Sequence, residues 1–316
     1  MDISVVIPAY NETMFISDTV KSIVKWMPSC YQFEVIVVDH GSTDNTASLA
    51  TEAGAKVIDG KAEATIAALR NLGVTHAKGR LLLFIDADIT LTSQWSENIE
   101  KVFELLDSNP KNICGSHPKV PEDSSLLMKS WFEPKTLEKA PTHIGSCHLI
   151  IARQFFDTID GFPGEMETSE EFTLCLNAKK AGGKIIAFPE LVITHHGSPE
   201  TLSSFFSREI WHGRGDWNSL QSIFSSKVAM LTLIFIILHL IFISALIMRA
   251  QPTIFQLIPF LAILSLCVFS SFIKFYKVKF SYFLVNSLTF YLYFLARSLS
   301  LFSAVCFKKT IKHSRV

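Results

Sequence analysis

Three apolar runs near the start of the chain each stop at a polar side chain. Residues 3–7 are closed by Pro8 and lead to Asn11, residues 33–38 end at Asp39, and residues 80–85 end at Asp86. Runs that are apolar nearly throughout, here apart from Ser4, Glu34 and Arg80, rather than alternating, are those of strands buried on both faces. Helix-period segments at 14–26 and 62–76 separate them, with a short apolar run at 56–58. Strand–helix alternation of this kind predicts a parallel sheet covered by helices. Right-handed crossovers then bring the strand C-termini to one edge, where such sheets bind ligands. Asn11, Asp39 and Asp86 are therefore expected to meet at one crevice. Thr43 or Asp44 is expected to cap the helix after the second strand.

Further along, the pattern predicts helices at 91–106 and 169–181. The second is ended by Gly182-Gly183. Strands are expected at 112–116, 146–152, 184–187 and 191–194. No internal repeat or low-complexity segment interrupts them.

The apolar surplus is concentrated between 228 and 307. It forms segments at 228–248, 252–273 and 280–307, each long enough to span a bilayer. His239 lies inside the first and Arg297 inside the third. Between 202 and 224, Leu202, Phe205, Phe206, Ile210, Trp211, Trp217, Leu220 and Phe224 recur at helical intervals, as in helices lying at a membrane interface. The basic connector 274–279 is expected on the cytoplasmic side. The basic tail 308–315 fits two crossings better than three. The chain opens without a basic segment before an apolar core, so the first domain is expected in the cytoplasm. The expected organisation is a catalytic α/β domain at 1–200, interface helices at 201–227, and a multi-pass, all-α membrane segment at 228–316. Lys+Arg and Asp+Glu are balanced at 29 each, so charge offers no case for a nucleic-acid partner. The six cysteines are scattered without C-x-x-C spacing and read as reduced thiols.

The chemistry concentrates after the strands. Asp86-Ala87-Asp88 places two carboxylates on a turn leaving a buried strand, an oxygen donor set for a hard divalent cation. Residues 3–12 end in Pro8-Ala9-Tyr10-Asn11-Glu12, and residues 37–44 carry Asp39-His40-Gly41-Ser42-Thr43-Asp44. An acid at that second place can accept from a nucleobase N–H or a ribose hydroxyl.

These three blocks, in this order, resemble family 2 of the inverting glycosyltransferases, which adopt the GT-A (nucleotide-diphospho-sugar transferase, Rossmann-like) fold. Ala68-Leu69-Arg70-Asn71-Leu72-Gly73 and Ala77-Lys78-Gly79-Arg80 fit the same family. The resemblance covers roughly the first two hundred residues. It implies a nucleotide-sugar pocket lined by Pro8, Ala9, Tyr10, Asn11, Glu12 and Asp39, with Arg70 and Asn71 beside the diphosphate. Asp86 and Ala87 would lie near the ribose, and Asp88 would be the principal ligand of Mg²⁺ or Mn²⁺. The family usually has a second acid after Asp39; here it is His40, which leaves the base open.

Glu165 to Phe172 resembles the family's Glu-Asp motif at a helix start, which supplies the catalytic base. Glu171 holds the place usually filled by Asp, with Glu170 in reserve. Gly145 and Ser146 would shape the donor-sugar and acceptor pocket. Of His195 and His196, His196 is the preferred late metal ligand. Processive members carry Gln-x-x-Arg-Trp; the comparable stretch here has Arg208, Trp211 and Arg214 but no Gln, and Arg and Trp are not adjacent. A single transfer per encounter is expected, with Arg208, Trp211 and Arg214 near the acceptor. The expectation is an inverting, metal-dependent transfer to a lipid-linked or membrane-associated acceptor, as in surface-polysaccharide or glycolipid synthesis, among membrane lipids. Two alternatives stand beside it: a polyprenyl-phosphate sugar synthase, and a catalytically degenerate assembly partner.

Overall fold

The computed structural model describes residues 1–132, 141–166, 168–217, 223–224, 226–248, 253–275 and 280–313, with side chains described as far as 302. The chain divides into two compact units, Met1–Asp123 with Thr136–Ser198, and Ser124–Lys135 with Pro199–Val316. The helix Leu126–Phe132 thus belongs to the second unit although its sequence lies within the first, an excursion that the expected boundary at residue 200 does not contain.

The first unit is built on a seven-stranded sheet. Its strands are β1 (Ile3–Ala9), β2 (Phe33–Asp39), β3 (Lys56–Asp59), β4 (Leu81–Ile85), β6 (Ile113–Gly115), β7 (His148–Ala152) and β8 (Ile185–Ala187), in the spatial order β3-β2-β1-β4-β7-β6-β8. Two short strands, β5 (Ile89–Leu91) and β9 (Ile193–His195), pair antiparallel beside it. Every residue of β1 and β4 is buried, as continuous apolar runs require. β1 runs on through Pro8, which pairs with Val38, and ends at Ala9 opposite Asp39.

The sheet is mixed: β1 to β4 run parallel, as the strand–helix alternation predicts, and the departure comes with β7. β7 runs antiparallel to both β4 and β6. Ile85 pairs with His148, so β7 begins at the edge where β4 ends. Gly145 and Ser146, just before β7, are thereby carried to the strand-end edge that bears Asp86.

The helices start where caps allow. The helix Ile16–Trp26 buries Ile16, Val20 and Ile23, with Asp18 in its first turn and Lys25 in its last, matching the helix dipole. It begins at Ile16, later than periodicity suggests, because the Glu12 carbonyl accepts from the amides of both Phe15 and Ile16 and so holds 13–15 in a turn. The helix Ile66–His76 likewise starts at its Thr65 cap, whose hydroxyl accepts from Ala68 N at 3.1 Å. After β2, Asp44 bonds Thr46 N at 3.0 Å, while Asn45 is the cap position.

The second unit is helical. After Leu202–Gly213 and a 3₁₀ turn at Arg214–Trp217 come the helices Lys227–Ile247, Ile254–Phe275 and Phe280–His313. The first two of these three are long and apolar enough to cross a membrane by length and composition. The third apolar segment continues as one helix of 34 residues. Arg297, within it, is paired: its guanidinium donates to Glu209 at 2.9 Å and to Asp216 at 3.1 Å. Trp131 packs among Phe205, Phe275, Phe290 and Tyr293, and Ser130 and Asn286 exchange hydrogen bonds at 2.9 and 3.1 Å. Residues 218–222 of the expected interface stretch, 276–279 of the basic connector and 314–316 of the tail lie outside the described residues.

Candidate active site

The loops after β1 and β2 are stitched together. Asn11 N donates to Ser42 Oγ at 3.0 Å, Thr43 N donates to Asn11 Oδ1 at 2.9 Å, and Glu12 N donates to Thr46 Oγ1 at 2.7 Å. Asn11 adopts a left-handed backbone, φ +56°, which Asn tolerates better than most residues. The Asp39 carboxylate accepts from Gly41 N and Ser42 N at 3.2 and 3.1 Å, so it shapes its own turn. Tyr10 is 55% exposed, its ring edge-on to His40 at 5.8 Å. His40 Nε2 lies 2.8 Å from the Glu63 carbonyl.

The Asp86-Ala87-Asp88 turn leads from β4 into β5. Thr19 holds it from beneath by donating to the Ala87 carbonyl at 2.7 Å. Pairing of β5 with β9 brings the His195-His196-Gly197 segment alongside. Asp88 Oδ2 sits 2.9 Å from His195 Nε2, and Asp88 O accepts from His196 N. The His196 ring is directed elsewhere: its Nε2 lies 2.8 Å from Thr90 Oγ1, and the ring stacks on Phe15. Between the two histidines, His195 is therefore the one at the Asp88 carboxylate. Gly197 is needed there, because a Cβ would run into that carboxylate.

Glu12 faces this group. Burial, then the charges of Asp88, Asp86 and Asp44, push its carboxyl up to about 7. Among the described residues no set of three His, Cys, Asp or Glu side chains is gathered as a closed metal cage. Two adjacent donors amid repelling acids instead suit a hard cation that leaves coordination positions for phosphate oxygens.

Arg70 lies under the site, 1% exposed. Its Nη2 donates to Asp86 Oδ1 and its Nη1 to Glu170 Oε1, both at 2.7 Å. Ser146 Oγ adds a bond to the same Glu170 oxygen at 3.3 Å. A buried carboxylate robbed of such a partner would cost about 3–5 kcal/mol. Asn71 grips the backbone of Phe162 with both ends of its amide, at 2.8 and 3.1 Å. Neither Arg70 nor Asn71 is a loose side chain of the pocket wall.

Glu170 and Glu171 open the helix Glu170–Lys180, entered through Ser169 at a left-handed φ of +64°. Glu170 is buried and tied down. Burial and the charge of Glu170 push the Glu171 carboxyl up to about 7. A carboxyl poised near neutrality is suited to proton transfer.

Sequence reasoning did not find His148. It is buried at the start of β7, with Trp95 Nε1 donating to its Nε2 at 2.9 Å and Ser116 N 3.1 Å from its Nδ1. One ring proton can donate to Ser116 Oγ, 2.9 Å away, whose own proton goes to the Leu191 carbonyl. A second ring proton would meet an N–H, and burial holds the imidazole down at about 3. Only its position at a strand start marked it in the sequence.

Arg208, Trp211 and Arg214 belong to the second unit, on the helix Leu202–Gly213 and the turn after it. The Arg208 guanidinium lies over the Phe132 ring at 4.7 Å, and Trp211 is 45% exposed.

Comparison with known proteins agrees with this architecture. Glycosyl transferase family 2 matches residues 4–158. Glycosyltransferase AglE of Haloferax volcanii is 32% identical over 212 residues, covering 62% of this chain and 67% of that protein. Dolichyl-phosphate beta-glucosyltransferase of Dictyostelium discoideum is 26% identical, over 41% of this chain and 44% of its own length. Mannosyltransferase PcManGT from Pyrobaculum calidifontis, solved with GDP-Man and Mn²⁺, superposes with a TM-score of 0.60 at 18% identity, covering 95% of this chain and 86% of that one. A mixed α/β sheet with its acids at one strand-end edge is the GT-A architecture, and the protein is a glycosyltransferase. The chain belongs to glycosyltransferase family 2.

Proposed function

We propose that this glycosyltransferase is metal-dependent and inverting, and moves one sugar from a nucleotide-sugar donor to a lipid-linked or membrane-associated acceptor in surface-polysaccharide or glycolipid synthesis. The observation that carries this reading is the gathering of the Asp86–Asp88 turn, His195 and the start of the Glu170–Lys180 helix into one hydrogen-bonded neighbourhood. Asp88 and His195 would hold Mg²⁺ or Mn²⁺, which when bound neutralises charge building on the departing nucleoside diphosphate. The Mn²⁺ present in the Pyrobaculum structure supports that choice.

Pro8 to Glu12 and Asp39 line the nucleotide, with the exposed ring of Tyr10 available to the base. Glu171 takes the proton from the acceptor hydroxyl as that oxygen attacks the anomeric carbon opposite the leaving group. Glu170 is held by Arg70 and is not free to share that task. The apolar helices of the second unit anchor the protein in the membrane as a multi-pass segment among lipids, with the catalytic unit on the cytoplasmic side.

The relation to a dolichyl-phosphate glucosyltransferase favours one second reading, in which the acceptor is a polyprenyl phosphate itself. That acceptor is already ionised and needs no base. Purified protein would be assayed against UDP-, GDP- and dTDP-sugars, with and without Mn²⁺. Turnover that needs the metal and vanishes in Asp88→Ala is expected; undiminished turnover in Asp88→Ala would sink the metal assignment. Loss of transfer in Glu171→Gln supports a hydroxyl acceptor. Retained transfer there, with polyprenyl phosphate as acceptor, supports the second reading.

A further inference from the structure

We propose that Arg70 is a positioning residue, a buried brace that fixes the metal turn and the base-bearing helix relative to each other, and not a contact to the donor. The proposal rests on the reading of Glu171 as base. Family resemblance puts this arginine beside the nucleotide diphosphate, but the geometry points elsewhere.

A side chain that holds a diphosphate must present free N–H groups to the pocket. Arg70 is 1% exposed, and both terminal nitrogens are already engaged, one with Asp86 and one with Glu170. Each terminal nitrogen keeps a second N–H and Nε is buried with no partner, but at 1% exposure none of these donors reaches the surface. The guanidinium is also roofed by the Phe162 ring, 5.6 Å from its centre. Asn71, the next residue, locks the Phe162 backbone in place by two bonds. Ser146 closes the remaining side through Glu170.

Arg70 and Asn71 therefore join four stretches that are remote in sequence: the end of β4, the approach to β7, the Phe162 loop and the start of the Glu170–Lys180 helix. The planar fork matters, since two carboxylates are met by two separate nitrogens at fixed spacing. Lysine would keep the charge but offer one point in place of a fork. Glu170, still charged but tied down by Arg70 and Ser146, becomes the anchor, and Glu171 beside it is left as the proton acceptor. Displacement of about 1 Å at a reacting group can lower turnover about 100-fold without touching substrate affinity.

The test compares Arg70→Lys and Glu170→Gln in the full chain, with unfolding midpoints recorded for both. Binding of UDP and of GDP in the presence of Mn²⁺ is measured by calorimetry, and turnover is measured on the sugar nucleotide the wild type uses fastest. A fall in kcat of about 100-fold for Arg70→Lys, with nucleotide affinity within about threefold of wild type, is the expected result. The two substitutions should also be non-additive when combined, because both break one bond. Nucleotide affinity that falls as much as kcat would overturn the brace and restore a donor contact; wild-type kcat would overturn it equally. Glu171→Gln is run alongside. If it retains full kcat, the base assignment fails whatever Arg70→Lys does. If it is inactive while Arg70→Lys turns over normally, only the brace fails.

Discussion

Glu171 turns the site's electrostatics into a pH profile. Its carboxyl is held near 7 by burial and by Glu170, well above the range of an exposed glutamate. A base must be ionised, so kcat/KM is expected to rise as pH increases through about 7 and to level off above it. Glu171→Gln should remove that limb together with nearly all transfer to a hydroxyl acceptor; an acid limb that survives the substitution would assign it to another group. Gly197 makes a steric counterpart. The side chain of Asp88 packs where a Cβ would stand, so Gly197→Ala must push Asp88 away from His195. A drop in metal-stimulated turnover of about 100-fold, with an unchanged unfolding midpoint, is expected. Full activity in that variant would show that Asp88 can move without consequence. Asp39, Asp86 and Asp88 could be placed at one sheet edge from the sequence because each follows a strand, whereas Glu171 stood out only through the family resemblance. The preference for His196 over His195 had no geometric basis in the sequence, since which ring meets Asp88 depends on how β9 pairs with β5. The burial of Arg70 was equally hidden, because a charged residue on a helix usually reads as solvent-facing.

At the scale of elements, the strands that could be read are those buried on both faces. β1, β2 and β4 announce themselves as nearly continuous apolar runs, broken only by Ser4 and Glu34, and the acids after them follow. The apolar run of β7 carries no mark of direction, so its antiparallel course was not legible. β5 has three residues and follows directly on the Asp86–Asp88 turn, too short to stand out as a strand. The direction of β7 has a chemical consequence: it places His148 opposite Ile85, one residue before Asp86, in a pocket of N–H donors. Because the folded state holds the ring neutral down to about 3, the unfolded chain binds more protons below pH 6.5. This group therefore supports stability fully above pH 6.5, and its contribution falls away as pH drops from 6.5 towards 3. His148→Gln keeps one donor and one acceptor but does not titrate. The unfolding midpoint of the variant should fall less steeply with pH between 6.5 and 4 than that of wild type. Parallel slopes would mean that other groups dominate the acid transition.

The whole molecule is a family 2 catalytic unit on a chain that also carries an apolar helical unit, and in the proposed reading the second holds the first at a membrane. The Lys227–Ile247 helix has 21 residues, a length of about 31 Å at 1.5 Å per residue, close to the hydrocarbon thickness of a bilayer. Ile237, Leu240, Ile243 and Ile247 are exposed along it, and Phe255, Ile258, Phe269 and Phe272 along the Ile254–Phe275 helix. Contiguous apolar surface on this scale is not sustained in water. Arg297, the charged side chain inside the third apolar segment, is paired with Glu209 and Asp216. In the proposed reading, lipid is the solvent that satisfies both observations. The full chain should therefore sediment with membranes, remain there after alkaline carbonate washing, and need detergent for release. A chain held only by interface helices would be stripped by carbonate. Release into the wash would reduce the apolar unit to a surface anchor, while the chemistry at Asp88 and Glu171 would stand unaffected, since every residue of that site lies in the other unit.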